Sequence, residues 1–581
     1  MSEPSTAEGP ERRSTDLRQE VERLALLHRI GVALSAERNR DRLVEQILLE
    51  AKRLCHADGG TLYLRTDDDE LRFAIMRTDS LGIALGGSTG RAIDLPPIPM
   101  FDPATGEANR TNVASYAAHL RESVNIPDAY DATGFDFSGM KRFDERNQYR
   151  STSFLTIPLV NNEGRVIAVL QLLNARDPET NGVMAFGVED QRIVEALASQ
   201  AAIALDNQAL IDGQKELLEA FIQMIASAID SKSPYTGAHC ERVPILTIML
   251  AEAAQDATEG PYADFQLSEE EWYELKIAAW LHDCGKVTTP VHVMDKATKL
   301  ETIFDRMAMV RTRFEVMDRD ARIRMLEARA GGDPDAEARY AQEAEQLAAD
   351  LAFLEEANLG GEFLQDEAKE RIRRIGSRRY VEKGKERPLL DAEEVENLCI
   401  SRGTLTSDER LIINGHMVQT IQMLESLPFP KNLRRVPEYA GGHHEKMDGK
   451  GYPRGIFAND MSPPARMMAI ADVFEALTAQ DRPYKPGKKL SEAMRIMGFM
   501  KRDNHLDPQL FDLFVASVVY RAYGERFLPR ELIDEVDEAA LLAIEPKSFD
   551  VPPPNERARR WQGFLPQYEP LRASVMGEEP S

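Results

Sequence analysis

Histidine and aspartate side chains that could bind metal ions are grouped at a few points of the sequence. His282 is followed directly by Asp283, so that a neutral nitrogen ligand and an anionic oxygen ligand stand side by side. This combination suits Fe, Mn, Zn or Ni and is poor for Ca or Mg alone. A single buried histidine is more often merely hydrogen-bonded, so the prediction depends on the whole group. Five of the ten histidines have motif-like surroundings: His239, His282, His416, His443 and His444.

Further candidate residues lie in a glycine-rich run and on an apolar helix. His443 and His444 precede a stretch, residues 449–455, whose glycines allow its backbone to approach a bound ligand closely. Asp472 interrupts an apolar helical pattern, where a carboxylate is costly to bury unless it is paired or binds a metal. Together these residues predict a metal site built from separate parts of the chain.

The charge balance limits what such a site would bind. The 581 residues include 71 Lys and Arg against 97 Asp and Glu, a formal net charge of −26. This excess argues against binding to nucleic-acid polymers or anionic lipid surfaces. An anionic small ligand would need a local positive site.

The cysteine usage and the hydropathy predict a cytoplasmic protein. The four cysteines show no C-x-x-C spacing, which argues for a reducing compartment and against a disulfide or thiolate-zinc framework. We find no secretory signal and no apolar run long enough to cross a membrane.

The first 207 residues predict a short disordered stretch and then a mixed domain. Residues 1–21 are polar, and residues 22–207 show a helical pattern and then β-rich runs, which indicates an antiparallel sheet flanked by helices. The long polar stretch between the second and third runs is typical of a ligand lid or a disordered loop. The runs are 61–64, 73–76, 154–159 and 166–170.

Residues 190–230 contain no proline and predict a long helix that connects two domains, with an apolar heptad typical of a parallel coiled coil. We therefore expect a homodimer, although Gln208 and Lys215 would weaken the seam. The alternative is a helix packed on its own domains. The heptad positions are Val194, Leu197, Ala201, Ala204, Gln208, Ile211, Lys215, Leu218, Ile222, Ile225 and Ile229.

The remainder of the chain predicts an all-helical domain over 231–546 and a proline-rich, poorly ordered tail over 547–581. Residues 302–400 form a distinct insert, in which charged side chains alternate with Leu, Ile and Ala. Such a composition is typical of a solvated helical hairpin.

Taken together, the motifs resemble the HD-GYP family of bacterial cyclic di-GMP phosphodiesterases, a subgroup of the HD metal-dependent phosphohydrolases. The run H-H-E-x-x-D-G-x-G-Y-P is intact at residues 443–453, and the resemblance extends from about 229 to 520. It implies two divalent metal ions, Fe or Mn. The implied ligands are His282, Asp283, His416, His443, His444 and Asp472, with Asp283 as the catalytic bridge between the metals.

The resemblance also implies residues that bind the substrate. Lys286 would neutralise a phosphate oxygen and act catalytically, while Arg482 and Lys485 would hold the other phosphate. Gly451, Tyr452 and Pro453 would line the pocket. His239 matches a histidine that some members use for a third metal, which stays open because Tyr235 stands where those members have an acidic residue.

Two departures separate this chain from the family pattern. His416 lies 134 residues after His282, a much longer interval than in the family, and the insert at 302–400 accounts for the excess. One extra residue between Asp472 and Arg482 weakens the assignment of that arginine.

The N-terminal domain resembles a GAF domain, the small-molecule-binding sensory module, in residues 142–159 and 170–174. The signature of cyclic-nucleotide-binding GAF domains is matched at Asn174, Phe186 and Asp190, where we assign a structural role, but Ala175 and Gln191 replace its Lys and Glu. Cyclic-nucleotide binding is therefore one hypothesis, with Arg176 as a substitute cation, and a dimerisation role is the other.

The sequence thus predicts a multidomain protein in which an α+β GAF domain is joined by a long helix to an all-α HD-type phosphohydrolase domain. The implied function is hydrolysis of cyclic di-GMP to linear pGpG, GMP or both, under control of the GAF domain. The alternatives are a non-catalytic, nucleotide-responsive receptor, and the same chemistry on another cyclic dinucleotide such as cyclic GMP-AMP.

Overall fold

The computed structural model describes residues 25–232, 239–361, 363–480, 487–557, 561 and 563–577. The predicted disordered stretch, residues 1–21, lies outside them. The chain forms two compact units, Met1–Leu217 and Leu218–Ser581. Among the described helices, none combines the length and the apolar character that crossing a bilayer requires.

The first unit is built on an antiparallel sheet in the order β3-β2-β1-β7-β6-β5, with β4 paired to β2 and β8 paired to β7. Its strands are β1 Ala57–Arg65, β2 Glu70–Thr78, β3 Ile83–Gly86, β4 Ile98–Pro99, β5 Val124–Ile126, β6 Phe154–Val160, β7 Val166–Arg176 and β8 Val183–Met184. Its helices are α1 over 25–36, α2 Arg40–Leu54, α3 Val113–Leu120, α4 Ser138–Asn147 and the first part of α5 Val188–Lys232.

The alternation of side chains along β1 explains why helices cover both faces of this sheet. Leu62 and Leu64 point to the core formed with α1, α2 and α5, whereas Tyr63 points to the opposite face and packs with Ala114 and Ala118 of α3. The polar stretch after β2 is not a single lid or disordered loop, as its composition suggested. It contains β3, β4, α3, β5 and α4, because short apolar segments between its glycines and aspartates reach the core.

In its described residues, the second unit is helical apart from one two-stranded hairpin, β9 Arg379–Glu382 with β10 Lys385–Pro388. Its first helices are α6 His239–Gln255, α7 Glu269–Leu281, α8 Val291–Met294, α9 Met307–Ala330, α10 Ala336–Asn358, α11 Asp366–Gly376 and α12 Ala392–Leu398. The others are α13 Ser407–Asn414, α14 His416–Ser426, α15 Val436–Gly441, α16 Pro463–Thr478, α17 Leu490–Arg502, α18 Pro508–Ala516, α19 Val519–Phe527, α20 Glu538–Leu542, α21 Pro554–Arg557 and α22 Leu565–Met576.

The insert at 302–400 has more structure than a solvated hairpin. Helices α9 and α10 do form a charged hairpin, but its inner face buries Val310, Phe314 and Leu354 in a core that also contains residues of α11 and α12. The insert is therefore a helical subdomain. An ion pair joins the chain just before the insert to the chain just after it. The buried Lys296 ammonium donates to the Glu409 carboxylate at 2.8 Å.

The predicted coiled-coil seam is only partly available on the surface of α5. Ile222 and Ile229 are 4% and 6% exposed because they belong to the core of the second unit. The predicted heptad positions Ile211, Leu218 and Ile225 are exposed, and more fully exposed apolar side chains lie one position earlier along the heptad. They form a strip of Leu210, Leu217, Phe221 and Met224, each more than half exposed.

The C-terminal residues are also more ordered than their proline content suggested. Residues Leu565–Met576 form α22, which packs against α13, and the Tyr568 side chain is buried. The expectation of a poorly ordered tail is wrong for this segment, because its aromatic side chains pack against the helical unit.

The segment after α7 is fixed to α14 by a very close backbone contact. A Cβ atom on Gly285 would lie 2.0 Å from the His416 carbonyl oxygen and 2.5 Å from the Thr420 amide nitrogen. The Gly285 amide donates to the Thr420 hydroxyl at 2.9 Å. Only glycine fits here, so the residues on either side of Gly285 are held against the start of α14.

We expect Gly285→Ala to destabilise the second unit by about 1–3 kcal/mol or more, because the clashing atoms are backbone and cannot move aside. Differential scanning calorimetry of the full chain would show a lower midpoint for this variant. Gly361→Ala is the matched control, since a Cβ atom there meets nothing within 4 Å. Equal midpoints for the two variants would contradict the argument.

Candidate metal centre

The predicted metal ligands converge from five places in the second unit. His239 begins α6, His282 and Asp283 follow α7, and His416 begins α14. His443 and His444 follow α15, and Asp472 lies within α16. They form two groups, in each of which the ligand atoms lie within 4.8 Å of one another. One group is Asp283, His416, His443 and His444; the other is His239, His282, Asp283 and Asp472.

Asp283 belongs to both groups because each of its carboxylate oxygens faces a different one. Oδ1 lies 3.2 Å from Nε2 of His416 and 3.9 Å from Nε2 of His443. Oδ2 lies 3.1 Å from Nε2 of His282 and 3.3 Å from Nε2 of His239. Donor atoms that are each about 2.1 Å from one ion lie roughly 3–4 Å apart, so both groups have the right size for a metal.

The histidine rings are oriented by the backbone of the turn that precedes them. Nδ1 of His282, His416 and His443 donates to the carbonyl oxygen three residues earlier, at 2.6–2.8 Å. A carbonyl oxygen only accepts, so Nδ1 must carry the proton and the lone pair of Nε2 is left available to a metal. Metal-binding histidines usually have this arrangement.

Buried polar atoms without a partner show that the residues fit a metal. Among the described residues, no hydrogen-bond partner is found for Nε2 of His239, His282, His416 or His443, nor for Oδ1 of Asp283. Such atoms are rare inside proteins because each loses its hydration without compensation. Here they lie within the two groups, where a cation in each would compensate the lost hydration.

His239 lies within the second group, and a residue missed in the sequence holds it there. Glu475 is buried one turn after Asp472 on α16, and its carboxylate accepts from Nδ1 of His239 at 2.5 Å and from Arg242 at 2.6 Å. The separation of three residues between Asp472 and Glu475 was the available signal, since it places both on one face of a helix.

The electrostatics of the site favour the protonation states in which histidine and aspartate bind metals. Burial, with the neighbouring His282, lowers the pKa of His443 to about 4, which keeps it neutral. Burial opposes ionisation of Asp283, but Lys286 and His282 outweigh it and hold the pKa of that carboxyl well below its usual range. Burial would also lower the pKa of His239, but the Asp283, Asp472 and Glu475 carboxylates raise it well above normal. A cation bound at Nε2 would supply the positive charge that these carboxylates favour.

Lys286 lies in the short turn that follows Asp283, with its ammonium 2.5 Å from Oδ2 of that aspartate. Burial disfavours its charge, but Asp283 and Asp472 raise its pKa above the usual range, so it stays cationic. The turn itself is bound by Lys232 at the end of α5. The Lys232 ammonium donates to the carbonyls of Val287 and Thr289 at 2.5 and 2.6 Å, a contact that the sequence did not reveal.

The loop predicted to line the pocket does lie beside the ligands. The Tyr452 ring stacks on the His444 ring, with centroids 4.9 Å apart and planes at 18°. Pro453 is buried, and Gly451 packs directly on the backbone of Glu445 and Lys446. Arg482 and Lys485, the predicted phosphate-binding residues, lie outside the described residues.

The GAF signature residues of the first unit organise its own backbone. Asn174 is buried; its amide donates to the Tyr149 hydroxyl and the Arg150 carbonyl, both at 2.8 Å. Phe186 is buried in the core, and the Asp190 carboxylate accepts from the Gly187 amide at 3.0 Å. These contacts fit the structural role that we assigned.

The suggested substitute cation is already engaged. Arg176 donates to the buried Asp58 carboxylate at 2.8 Å. Asp58 also accepts from the hydroxyls of Ser80 and Tyr149, both at 2.6 Å. Arg176 therefore has an internal partner in this unit.

Comparison with known proteins matches both units. A GAF domain model matches residues 39–205, and an HD domain model matches residues 393–510. HD domains are metal-dependent phosphohydrolase folds, so a divalent metal is expected at the cluster.

Three curated relatives are cyclic-dinucleotide phosphodiesterases by name. A 3'3'-cGAMP-specific phosphodiesterase 1 of Vibrio cholerae is 41% identical over 21% of this chain and 27% of its own length. A 3'3'-cGAMP-specific phosphodiesterase 3 of the same species is 23% identical over 69% of this chain and 65% of its own. A cyclic di-GMP phosphodiesterase of Pseudomonas aeruginosa is 39% identical over 20% of this chain and 27% of its own.

The matched part of this chain thus spans less than two thirds of each of these relatives. The family models and the folds of the two units nevertheless agree. The chain is a multidomain protein in which a GAF domain with an antiparallel sheet precedes a helical HD domain.

Proposed function

We propose that the chain is a metal-dependent phosphodiesterase that hydrolyses cyclic di-GMP to linear pGpG, GMP or both. The observation that carries this proposal is the Asp283 carboxylate, whose two oxygens each face a separate set of buried, unpartnered imidazole nitrogens. This arrangement suits two cations that share one carboxylate. Two ions held there would supply Lewis acidity and positive charge for phosphoryl oxygens, and would activate the attacking water.

The residues around this centre have complementary tasks. Histidines and aspartates fix the positions of the ligand atoms, and Lys286 holds a positive charge at the edge of the site. Phosphodiester hydrolysis gains most from positive charge where negative charge develops. A chain with a net charge of −26 needs such a local field to attract an anionic substrate. The imidazole and carboxylate donor set suits Fe or Mn, and we propose two ions per chain.

A second cyclic dinucleotide, 3'3'-cGAMP, is an alternative substrate. Two of the three relatives described above are named for it, and the third is named for cyclic di-GMP. The metal centre would act on the phosphodiester of either molecule, because selection between them depends on contacts with the bases. The non-catalytic receptor is less well supported, because the full set of predicted ligands is present.

We also propose that the GAF domain controls the enzyme through α5. Near its C-terminal end, the Asp230 carboxylate accepts from the Cys240 amide, one residue after His239, at 3.1 Å. At its end Lys232 binds the carbonyls that follow Lys286. A displacement of this helix end would therefore shift residues on two sides of the metal centre. The sensed ligand stays open, with a cyclic nucleotide as one hypothesis, and a cytoplasmic location stays a prediction from the sequence.

A homodimer is supported by the exposed strip of α5. Leu210, Leu217, Phe221 and Met224 have the seven-, four- and three-residue spacing of a coiled-coil seam. Each is more than half exposed, and large apolar side chains arranged in such a row are typical of helices that pair with a second copy.

The metal mechanism is tested by replacing the shared ligand and its neighbour. We expect the double variant His282→Ala, Asp283→Ala to lose hydrolysis of cyclic di-GMP by more than about 1000-fold, because both ions would lose a ligand. Product formation is measured by liquid chromatography on full chain purified without oxygen and supplied with Fe or Mn. His292→Ala, which removes an exposed histidine, should keep its activity. Retained turnover in the double variant would refute the mechanism.

The assignment of His239 is tested by counting metals. His239→Ala removes one of four ligands from the second group, so we expect elemental mass spectrometry to find about one ion per chain in place of about two. The His292→Ala chain again serves as the control. An unchanged stoichiometry in His239→Ala would show that this imidazole is not a ligand.

The proposed dimer is tested with Leu217→Glu, Met224→Glu. Two carboxylates in the strip would face their copies across a parallel seam, so we expect light scattering to give the mass of one chain, against two for the unaltered protein. Leu326→Glu is a matched control, since Leu326 is equally exposed but lies in the insert. A variant that keeps the dimer mass would place the interface elsewhere.

A further inference from the structure

A row of aromatic rings leads from the metal centre to the C-terminal segment. It starts at His444, whose ring stacks on Tyr452. The Phe564 ring is parallel to that of Tyr452, at 9°, with centroids 6.4 Å apart. Tyr568 follows, 5.8 Å from Phe564. Phe564 and Tyr568 belong to the segment whose sequence suggested a poorly ordered tail.

The segment that carries Phe564 is fixed by its contact with the start of α14. The Tyr568 ring fills the space where Gly415 lacks a side chain, since a Cβ atom on Gly415 would lie 1.9 Å from that ring. Gly415 directly precedes the metal ligand His416. Further along α22, Arg572 and Met576 line a small cavity together with Thr288, which follows the Lys286 turn. The position of Phe564 is thus set by the same backbone that positions the metal ligands.

The parallel rings of Tyr452 and Phe564 offer two aromatic faces on which a flat ligand could stack. Aromatic faces in van der Waals contact are about 3.5 Å apart, so two faces that enclose a third ring are separated by about 7 Å. The 6.4 Å between these centroids exceeds the 4.9 Å of the directly stacked pair, but it is the upper limit of the distance between the two faces, so Phe564 must move outward by at least about 0.6 Å to admit a ring. Both side chains are only partly buried, so solvent still reaches them. Purine bases stack on aromatic side chains, and such stacking tolerates different bases.

We propose that Phe564 is a specificity-determining residue, which together with Tyr452 holds one nucleobase of the cyclic dinucleotide beside the metal centre. The C-terminal segment is then part of the substrate pocket. This inference rests on the proposed function and adds the group that selects a diester with bases over a diester without them. Because stacking is tolerant of the base, Phe564 selects for a nucleobase and not between cyclic di-GMP and 3'3'-cGAMP.

The test compares two substrates on metal-loaded full chain. Phe564→Ala should lower kcat/KM for cyclic di-GMP about 5- to 100-fold, mainly through KM, as expected for the loss of one base-stacking partner. Hydrolysis of methyl p-nitrophenyl phosphate, a diester without a nucleobase, should be unchanged. Phe564→Trp should keep activity on both substrates. Phe499→Ala, which removes a half-exposed phenyl ring elsewhere in this unit, is the matched control.

Three results would overturn the inference. Equal losses on both substrates would mean that Phe564 only supports the fold, a gain in activity would mean that the segment blocks the site, and no change would place the base elsewhere. Binding of cyclic di-GMP, followed by calorimetry, separates this inference from the proposed function. Binding without hydrolysis in the unaltered protein refutes the proposed phosphodiesterase activity. Weaker binding by Phe564→Ala in that case still supports the role of Phe564 in holding the base. Absence of both binding and hydrolysis refutes both.

Discussion

The structure of the second unit depends on the burial of one carboxylate, Asp283, among imidazoles. An ionised carboxylate loses several kcal/mol of hydration on burial and needs compensation from nearby charge. In this arrangement Lys286 compensates one oxygen, while the other has no hydrogen-bond partner among the described residues. The surrounding helices nevertheless hold the histidine rings with backbone hydrogen bonds, so their nitrogens cannot turn away. This constraint favours a cation over any rearrangement of the ligands.

The second constraint is that the two halves of the ligand set meet across a long insert. Gly285 packs on the backbone of α14, and this contact brings Asp283 to His416 although the insert separates them in sequence. The insert can be long because the entropic cost of closing a loop grows slowly with its length, and because it has a core of its own. The HD domain match begins at residue 393, near the end of this insert and after the first candidate ligands.

The sequence allowed prediction of those features that depend on residue type and spacing. The four β-rich runs and the long helix α5 follow from the apolar period, and the ligands follow from a motif whose residues keep their order. Glu475 was missed because a buried carboxylate that orients a histidine resembles any other helical glutamate until the fold pairs them. The shifted strip on α5 was missed for a related reason. A heptad shows which residues are apolar, but it does not show that Ile222 and Ile229 are buried in the core of their own unit.

The position of the C-terminal segment depends on the packing of an aromatic side chain more than on its proline content. Its prolines predict little regular structure, yet Tyr568 is 4% exposed because Gly415 leaves a cavity of matching shape. A glycine immediately before the candidate ligand His416 thus also admits an aromatic ring from a distant part of the chain. With two ions bound as proposed, positive charge from them and from Lys286 would face the substrate on one side, and the aromatic faces of Tyr452 and Phe564 would face it on the other. Charge alone would attract any phosphate, so in the proposed site the selection of a dinucleotide falls to the aromatic side.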